Sequence, residues 1–204
     1  MSAFSRQFTD KAICALQNLP HDQIARAMNI LQAVYERDGR IFAFGNGGSF
    51  SLASHWTSDF NKTVFSPALE RHTRRFQAIR IPPTVEELTA YANDIGYDMV
   101  FAGPLLNHLT DNDAVLAISS SGNSPNIIKA VELAKSRHIP VIGLSGFDGG
   151  KLNQLADAKI VVATEKGEYE LVEGVHDVVL HLLTKYFKEY FNELIKRQDR
   201  QAAA

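Results

Sequence analysis

Ala114-Val115-Leu116-Ala117-Ile118 runs directly into Ser119-Ser120-Ser121-Gly122-Asn123-Ser124-Pro125, and that junction decides the fold. Five apolar residues with no polar alternation read as a strand buried on both faces. Ser124 before Pro125 reads as a helix N-cap with proline at the first helical position, and the periodic stretch 126–137 continues that helix. Strand, polar turn and helix in succession make half of a βαβ unit.

The same succession recurs on either side. Strands are expected at 41–44, 76–81, 114–118, 141–144 and 160–163, and helices at 50–60, 84–91, 125–137 and from about 171 to 196. Residues 5–37 form a helical pair broken at Leu19-Pro20-His21. Alternation of this kind gives an α/β fold: a five-stranded parallel sheet, flavodoxin-like and doubly wound, with an N-terminal helical extension. With 204 residues the chain suits one domain, 1–204, of which 1–37 are the extension and 38–200 the core and closing helix. In the strand order 2-1-3-4-5 the loops after strands one and three open into one crevice. Those loops are Gly45-Asn46-Gly47-Gly48-Ser49 and the serine-rich turn 119–125.

Composition removes several classes. Lys plus Arg number 21 and Asp plus Glu 23, a net charge of -2, with 45% hydrophobic and 22% charged residues. That is an ordinary globule without the basic excess of a sequence-independent nucleic-acid binder. No uncharged apolar run approaches the roughly 20 residues of a membrane span. The lone Cys14 cannot form an intramolecular disulfide, and residues 1–19 interleave Arg6, Asp10 and Lys11 with apolar positions, so a cytoplasmic location is expected. Cys14 itself is expected to be a buried thiol in an amphipathic helix.

Four serines around Gly122 at a helix N-terminus supply neutral donors suited to a phosphate dianion, with the helix dipole adding to the attraction. GNGGS is not a dinucleotide fingerprint, because Phe50 stands where the third glycine would be, and no Gly-Lys-Ser/Thr of a P-loop follows. It permits close backbone approach to a ligand, with Ser49 expected to cap the next helix.

Two helices carry polar stripes. Ser51, His55 and Asp59 are spaced i, i+4, i+8 on the first, and Glu170, Glu173, Asp177 and His181 fall within about 80° of arc on the last. Such groups on apolar helices are costly to desolvate unless paired, so each stripe alone is a solvated or packing feature. Together they form a general acid/base or metal constellation, and His55, Asp59, Glu173 and His181 suit a divalent, zinc-like ion. His72 with Arg71, Arg74 and Arg75 makes a basic cluster before the second strand that reads as a solvated loop.

These motifs, with Asn93-Asp94-Ile95-Gly96-Tyr97-Asp98, the segment 144–150 and the closing helix with His176 and His181, resemble the SIS (sugar isomerase) domain family and within it the phosphoheptose isomerases. The resemblance covers nearly the whole chain. It implies isomerisation of sedoheptulose 7-phosphate to a glycero-manno-heptose 7-phosphate by a homotetramer with sites shared between subunits, residues 1–37 serving oligomerisation. By position, Ser49, Ser119, Ser121 and Ser124 would hold the phosphate, with Ser120 in the same loop and Gly47 and Gly48 lining the first. Asn46 and Asp94 would contact sugar hydroxyls. The general base falls on Asp59, the general acid on His181, and the family's zinc ligands on His55, Asp59, Glu173 and His181.

Departures stand beside the matches: the family's glutamate is Asp59, its glutamine Glu173, its substrate-contacting aspartate Glu170, and its arginine after the base Thr63, with Lys62 adjacent. Two other readings follow. The family includes a non-catalytic factor that binds the replication initiator, and the altered polar contacts would also fit an isomerase of a different sugar phosphate.

Overall fold

The computed structural model describes residues 1–63 and 75–202; the basic positions at 71, 72 and 74 lie outside them. Five parallel strands, β1 (Arg40–Gly45), β2 (Gln77–Arg80), β3 (Ala114–Ser119), β4 (Val141–Gly146) and β5 (Ala158–Val162), lie in the order β2-β1-β3-β4-β5. Gly45 at the end of β1 is in register with Ile118 of β3, so the two motif loops leave the sheet side by side.

Along β3 the side chains divide strictly by parity. Ala114, Leu116 and Ile118 join one core and Val115 and Ala117 the other, as the period of two requires in a sheet covered on both faces. On the first face lie α1 (Ser2–Gln17), α2 (His21–Glu36), α3 (Gly47–Thr63) and α8 (Tyr169–Ala202). The second carries α4 (Val85–Asp94), a 3₁₀ turn at Tyr97–Met99, α5 (Ala102–His108), α6 (Pro125–Ser136) and α7 (Gly150–Leu155). The short α5 and α7 are absent from the sequence reading. Leu19 and Pro20 separate α1 from α2, where the break is expected. Cys14 is exposed, contrary to expectation, because α1 buries only Ala15 and leaves Phe4, Phe8 and Ile13 in solvent.

Thirty-four residues long, α8 spans about 51 Å at 1.5 Å per residue and is fixed at two levels. Near its start Val172 fills the space above Gly146, where a Cβ would come within 2.6 Å of its methyls. Further along, Phe187 and Phe191 enter a cluster with Phe60 of α3, Phe76 and Tyr35, with centroids 4.7–6.3 Å apart. Edge-to-face pairs of this kind add to the area they bury.

Between these levels His176 is fully buried, its Nε2 3.0 Å from the Ser145 carbonyl and its Nδ1 without a partner. Burial disfavours the imidazolium and outweighs the Ser145 carbonyl, which favours it, lowering the pKa from 6.5 to about 4. Between those values the unfolded chain binds a proton that the folded chain refuses, so His176 withdraws stability as pH falls through that window and nothing above it. Urea unfolding should show this group removing about 2 kcal/mol between pH 7 and pH 5. His176→Gln, which keeps a donor for Ser145 but does not titrate, should lose correspondingly less stability over the same interval; an unchanged pH dependence would contradict the assignment.

Candidate active site

Asn46, between β1 and α3, meets Asn126, the second residue of α6, in a reciprocal pair. Each amide nitrogen donates to the other's oxygen, at 2.8 and 2.9 Å. Asn126 is buried and its Oδ1 also accepts from the Ile127 N–H at 3.0 Å, while Asn46 Oδ1 accepts from the Tyr97 hydroxyl at 3.1 Å. The pair therefore locks the two helix N-termini at the topological switch point to each other. Tyr97 and Asn126 belong to this network, and the sequence reading did not single them out: Tyr97 lies within the 93–98 motif and Asn126 one residue past the serine-rich turn.

In the serine-rich turn, Ser124 occupies the N-cap position of α6, but its hydroxyl caps nothing and lies 3.4 Å from that of Ser119. Both hydroxyls are thus available at the dipole's positive end, which is where a phosphate oxygen is best stabilised. Gly122 has φ +63°, and a Cβ there would fall 2.1 Å from the Gly149 carbonyl oxygen, so the turn requires glycine. Ser121 Oγ accepts from the Asn123 N–H at 3.3 Å, and Ser120 Oγ is buried without a partner. Ser49 is not a cap: α3 begins at Gly47, with Phe50 N–H donating to the Asn46 carbonyl, and Ser49 is buried in the first turn. Over that turn stands the Glu173 carboxylate, 2.2 Å from where a Cβ on Gly48 would be, a favourable place for an anion.

The two polar stripes meet within one chain, because α3 packs along α8. His181 Nδ1 lies 3.7 Å from Asp59 Oδ2, His181 Nε2 lies 3.7 Å from Asp177 Oδ2, and the His55 and His181 rings are edge to face at 5.2 Å. Bringing the stripes together therefore does not call for a second subunit. Asp59 Oδ1 accepts from the Thr63 hydroxyl at 2.9 Å and lies 3.3 Å from Lys62 Nζ. Partial burial pushes the Asp59 carboxyl up, but Thr63, Lys62 and His181 outweigh it and hold the group below the usual carboxylate range. Asp59 is consequently ionised at neutral pH.

Among the described residues, the donors close enough to hold one metal ion belong to His55, Asp177 and His181, within 4.8 Å of one another. Asp177 Oδ1 is buried without a hydrogen-bond partner, an orphan that a cation would satisfy, so the residues present fit a divalent ion. Of the four expected ligands the structure gathers His55 and His181, sets Asp59 on the far side of the His181 ring, and leaves Glu173 at Gly48. Asp94 is exposed and accepts from Asn93 at 2.7 Å, and Glu170 is exposed in the first turn of α8.

The sequence profile of the SIS domain matches residues 7–146. A phosphoheptose isomerase of Helicobacter pylori (strain ATCC 700392 / 26695) is 31% identical over 186 residues, 91% of each chain. One from Yersinia pestis (strain Pestoides F) is 34% identical over 175 residues, 86% of each. The structure of phosphoheptose isomerase from Neisseria gonorrhoeae superposes with a TM-score of 0.79 at 25% identity, covering 92% of this chain and 98% of that one. A phosphoheptose isomerase from Francisella tularensis gives 0.78 at 27%, covering 92% and 96%.

The amide pair yields a direct test. Asn126→Ala strands the Ile127 N–H and half of the Asn46 amide, a loss of about 1–3 kcal/mol. In a chain of this size that lowers the melting temperature by several degrees. Asn46→Ala and the double variant complete a cycle whose effects should fall short of additivity. Strict additivity would mean that the pair does not couple the loops.

Proposed function

The chain belongs to the SIS domain family, and from that membership we propose that it is an aldose–ketose isomerase of a sugar phosphate, acting on sedoheptulose 7-phosphate to give D-glycero-D-manno-heptose 7-phosphate. The observation that carries the reading is the facing of Asp59 and His181 across α3 and α8, a carboxylate and an imidazole on the scaffold that the phosphoheptose isomerases share.

Proton movement follows from their chemistry. Asp59 removes a proton from C1 of the ketose, and the C–H electron pair becomes the C1–C2 double bond. His181 delivers a proton to the C2 oxygen, giving the enediol. Loss of the O1 proton and return of a proton to C2 complete the aldose with no net oxidation. A carboxylate held below its usual range is ready as a base but weakly basic, so more of the step rests on proton delivery to the carbonyl oxygen. Ser119, Ser121 and Ser124, with the α6 amides and Ser120 in the same turn, hold the phosphate. Ser49, with Gly47 and Gly48 lining its loop, joins them on the phosphate, and Asn46, Asp94, Glu170 and Glu173 contact the sugar. A divalent cation, zinc, would be held by His55, His181 and neighbouring carboxylates, and would supply positive charge near the substrate's oxygens.

Helix geometry supports shared sites. Asp59 is ten residues beyond Ser49, about 15 Å along α3. An extended seven-carbon chain spans only about 10 Å from carbonyl carbon to phosphorus at ordinary bond lengths. The phosphate turn of one copy therefore serves the Asp59–His181 pair of another in a homo-oligomer, a tetramer, to which exposed Phe4, Phe8 and Ile13 of α1 offer apolar surface. No helix among the described residues is long and apolar enough to cross a membrane, and the proposed location is the cytoplasm. An initiator-binding scaffold has no use for an acid and a base aligned at 3.7 Å.

Incubation with ketose phosphates of six, seven and eight carbons should give aldose fastest from the seven-carbon substrate, and Asp59→Asn should lower kcat by at least a hundredfold. Absence of turnover across the panel, with and without zinc, would overturn the isomerase reading. Asp59→Asn and a Ser119→Ala/Ser121→Ala double variant, each inactive alone, should regain activity when mixed and allowed to exchange subunits. Mixtures that stay inactive after exchange would place the whole site in one chain.

A further inference from the structure

On the reading that the serine-rich turn holds the substrate's phosphate, we infer that Lys166 is a further contact to that phosphate, reaching it from the connection between β5 and α8. Hydroxyls and amides of the turn give the phosphate its orientation, and Lys166 adds the formal charge that they lack. The lysine thereby selects a phosphorylated sugar over a neutral one.

A cavity of about 310 Å³ opens beside the turn. Its lining comes from three connections at the carboxyl ends of the strands: Ser121 and Asn123 after β3, Phe147 and Asp148 after β4, and Thr164 and Lys166 after β5. The volume falls within the range of small-molecule pockets, and the carboxyl ends of parallel strands are where an α/β sheet takes its ligands. Ser121 and Lys166 therefore share one ligand-sized space.

Charge is sorted between the two sides of residues 163–168. Glu165 and Glu168 line a separate cleft against α1 together with Lys11, and Glu168 Oε1 accepts from Lys11 Nζ at 2.5 Å. Of the charged residues in this connection, Lys166 alone lines the cavity on the serine side. Lys129, Lys135 and Lys151 each have a carboxylate oxygen at 2.5–2.6 Å. Among the described residues Lys166 has no ion pair, although Asp148 lines the same cavity. The Asp148 carboxylate is exposed and accepts from the Gly150 N–H at 3.1 Å, so solvent screens it. An ammonium without a counter-ion beside neutral hydroxyls keeps its charge for an anion that enters, and lysine binds phosphate as such a point charge.

The two sides of the cavity differ in freedom. Asn123 Oδ1 accepts from the Lys151 N–H at 3.0 Å, Asn123 Nδ2 donates to the Ser121 carbonyl at 2.9 Å, and the Gly122 carbonyl accepts from the Leu152 N–H at 2.9 Å. The serine turn is thus braced against the head of α7. Phe147 packs edge to face on Tyr169 at 5.1 Å and ties the cavity to the first residue of α8. Lys166 is exposed on a flexible stem, and Gly167 behind it has φ +105° with open space where a Cβ would be. The ammonium can settle on a phosphate oxygen without disturbing the turn.

Calorimetric titration of the full-length protein with inorganic phosphate tests the contact without turnover. Wild type should bind it, Lys166→Met about tenfold more weakly, and Lys166→Arg, which keeps the charge, within about threefold of wild type. Lys159→Met removes the same charge near the other end of β5 and should leave the affinity unchanged. In turnover, Lys166→Met should raise KM for sedoheptulose 7-phosphate about tenfold with kcat within about twofold, because a charge felt equally in ground and transition states changes binding alone. Wild-type phosphate affinity in Lys166→Met, an equal loss in Lys166→Arg or Lys159→Met, or a fall in kcat with KM unchanged would each overturn the assignment, as would a wild type that binds no phosphate. Phosphate binding that depends on Lys166 without turnover of any ketose phosphate would overturn the isomerase reading and leave the contact standing.

Discussion

Phe60 of α3 and Phe187 of α8 meet edge to face at 5.8 Å, and the rest of the site depends on that contact. Both rings are fully buried and share the cluster with Phe76 and Phe191, so neither helix can slide without opening a cavity. Asp59 precedes Phe60 by one residue, and His181 lies six residues before Phe187. With the two rings fixed, the polar stripes are held in register and His181 is placed against Asp59. The chemistry is thereby positioned by packing two turns away from it, and the wedge of Val172 over Gly146 sets the same helix on the sheet from the other end.

A second constraint is the separation that a helix imposes. The turn at the head of α6 offers hydroxyls and amides for a phosphate, and the Asn46–Asn126 pair binds it firmly to the head of α3. The Asp59–His181 pair, however, sits most of the way down α3, farther off than a seven-carbon sugar phosphate can stretch. On the isomerase reading proposed above, each chain thus carries two half-sites that serve different molecules. That reading calls for an oligomer, and α1 leaves Phe4, Phe8 and Ile13 exposed as apolar surface for its contacts.

Much of this was legible in the sequence, for reasons that differ residue by residue. The strands and their order were legible because each is a short apolar run followed by a turn with distinctive chemistry. The helices α5 and α7 were not: at seven and six residues they are too short for a 3.6 period to declare itself, and Gly103-Pro104 and Gly149-Gly150 read as breakers. Ser49 reads as a cap because serine is a common one, whereas α3 starts two residues earlier. Cys14 followed the apolar pattern of α1, but a pattern reports a face without saying what covers it. Helical spacing placed Asp177 on the stripe with His181, yet which carboxylates come within reach of both His55 and His181 depends on how α3 meets α8. Only packing between distant segments decides that. Asn126 was hidden for the same reason, since its partner lies eighty residues away.

The central claim is that Asp59, aligned by α8, moves a carbon-bound proton between C1 and C2 of a sugar phosphate. Proton NMR of sedoheptulose 7-phosphate incubated with the protein in deuterated water tests it most directly. Solvent deuterium should enter the C2 position of the aldose formed by the wild type and should not enter with Asp59→Asn. Aldose formation and exchange that both continue at the wild-type rate in Asp59→Asn would contradict the account.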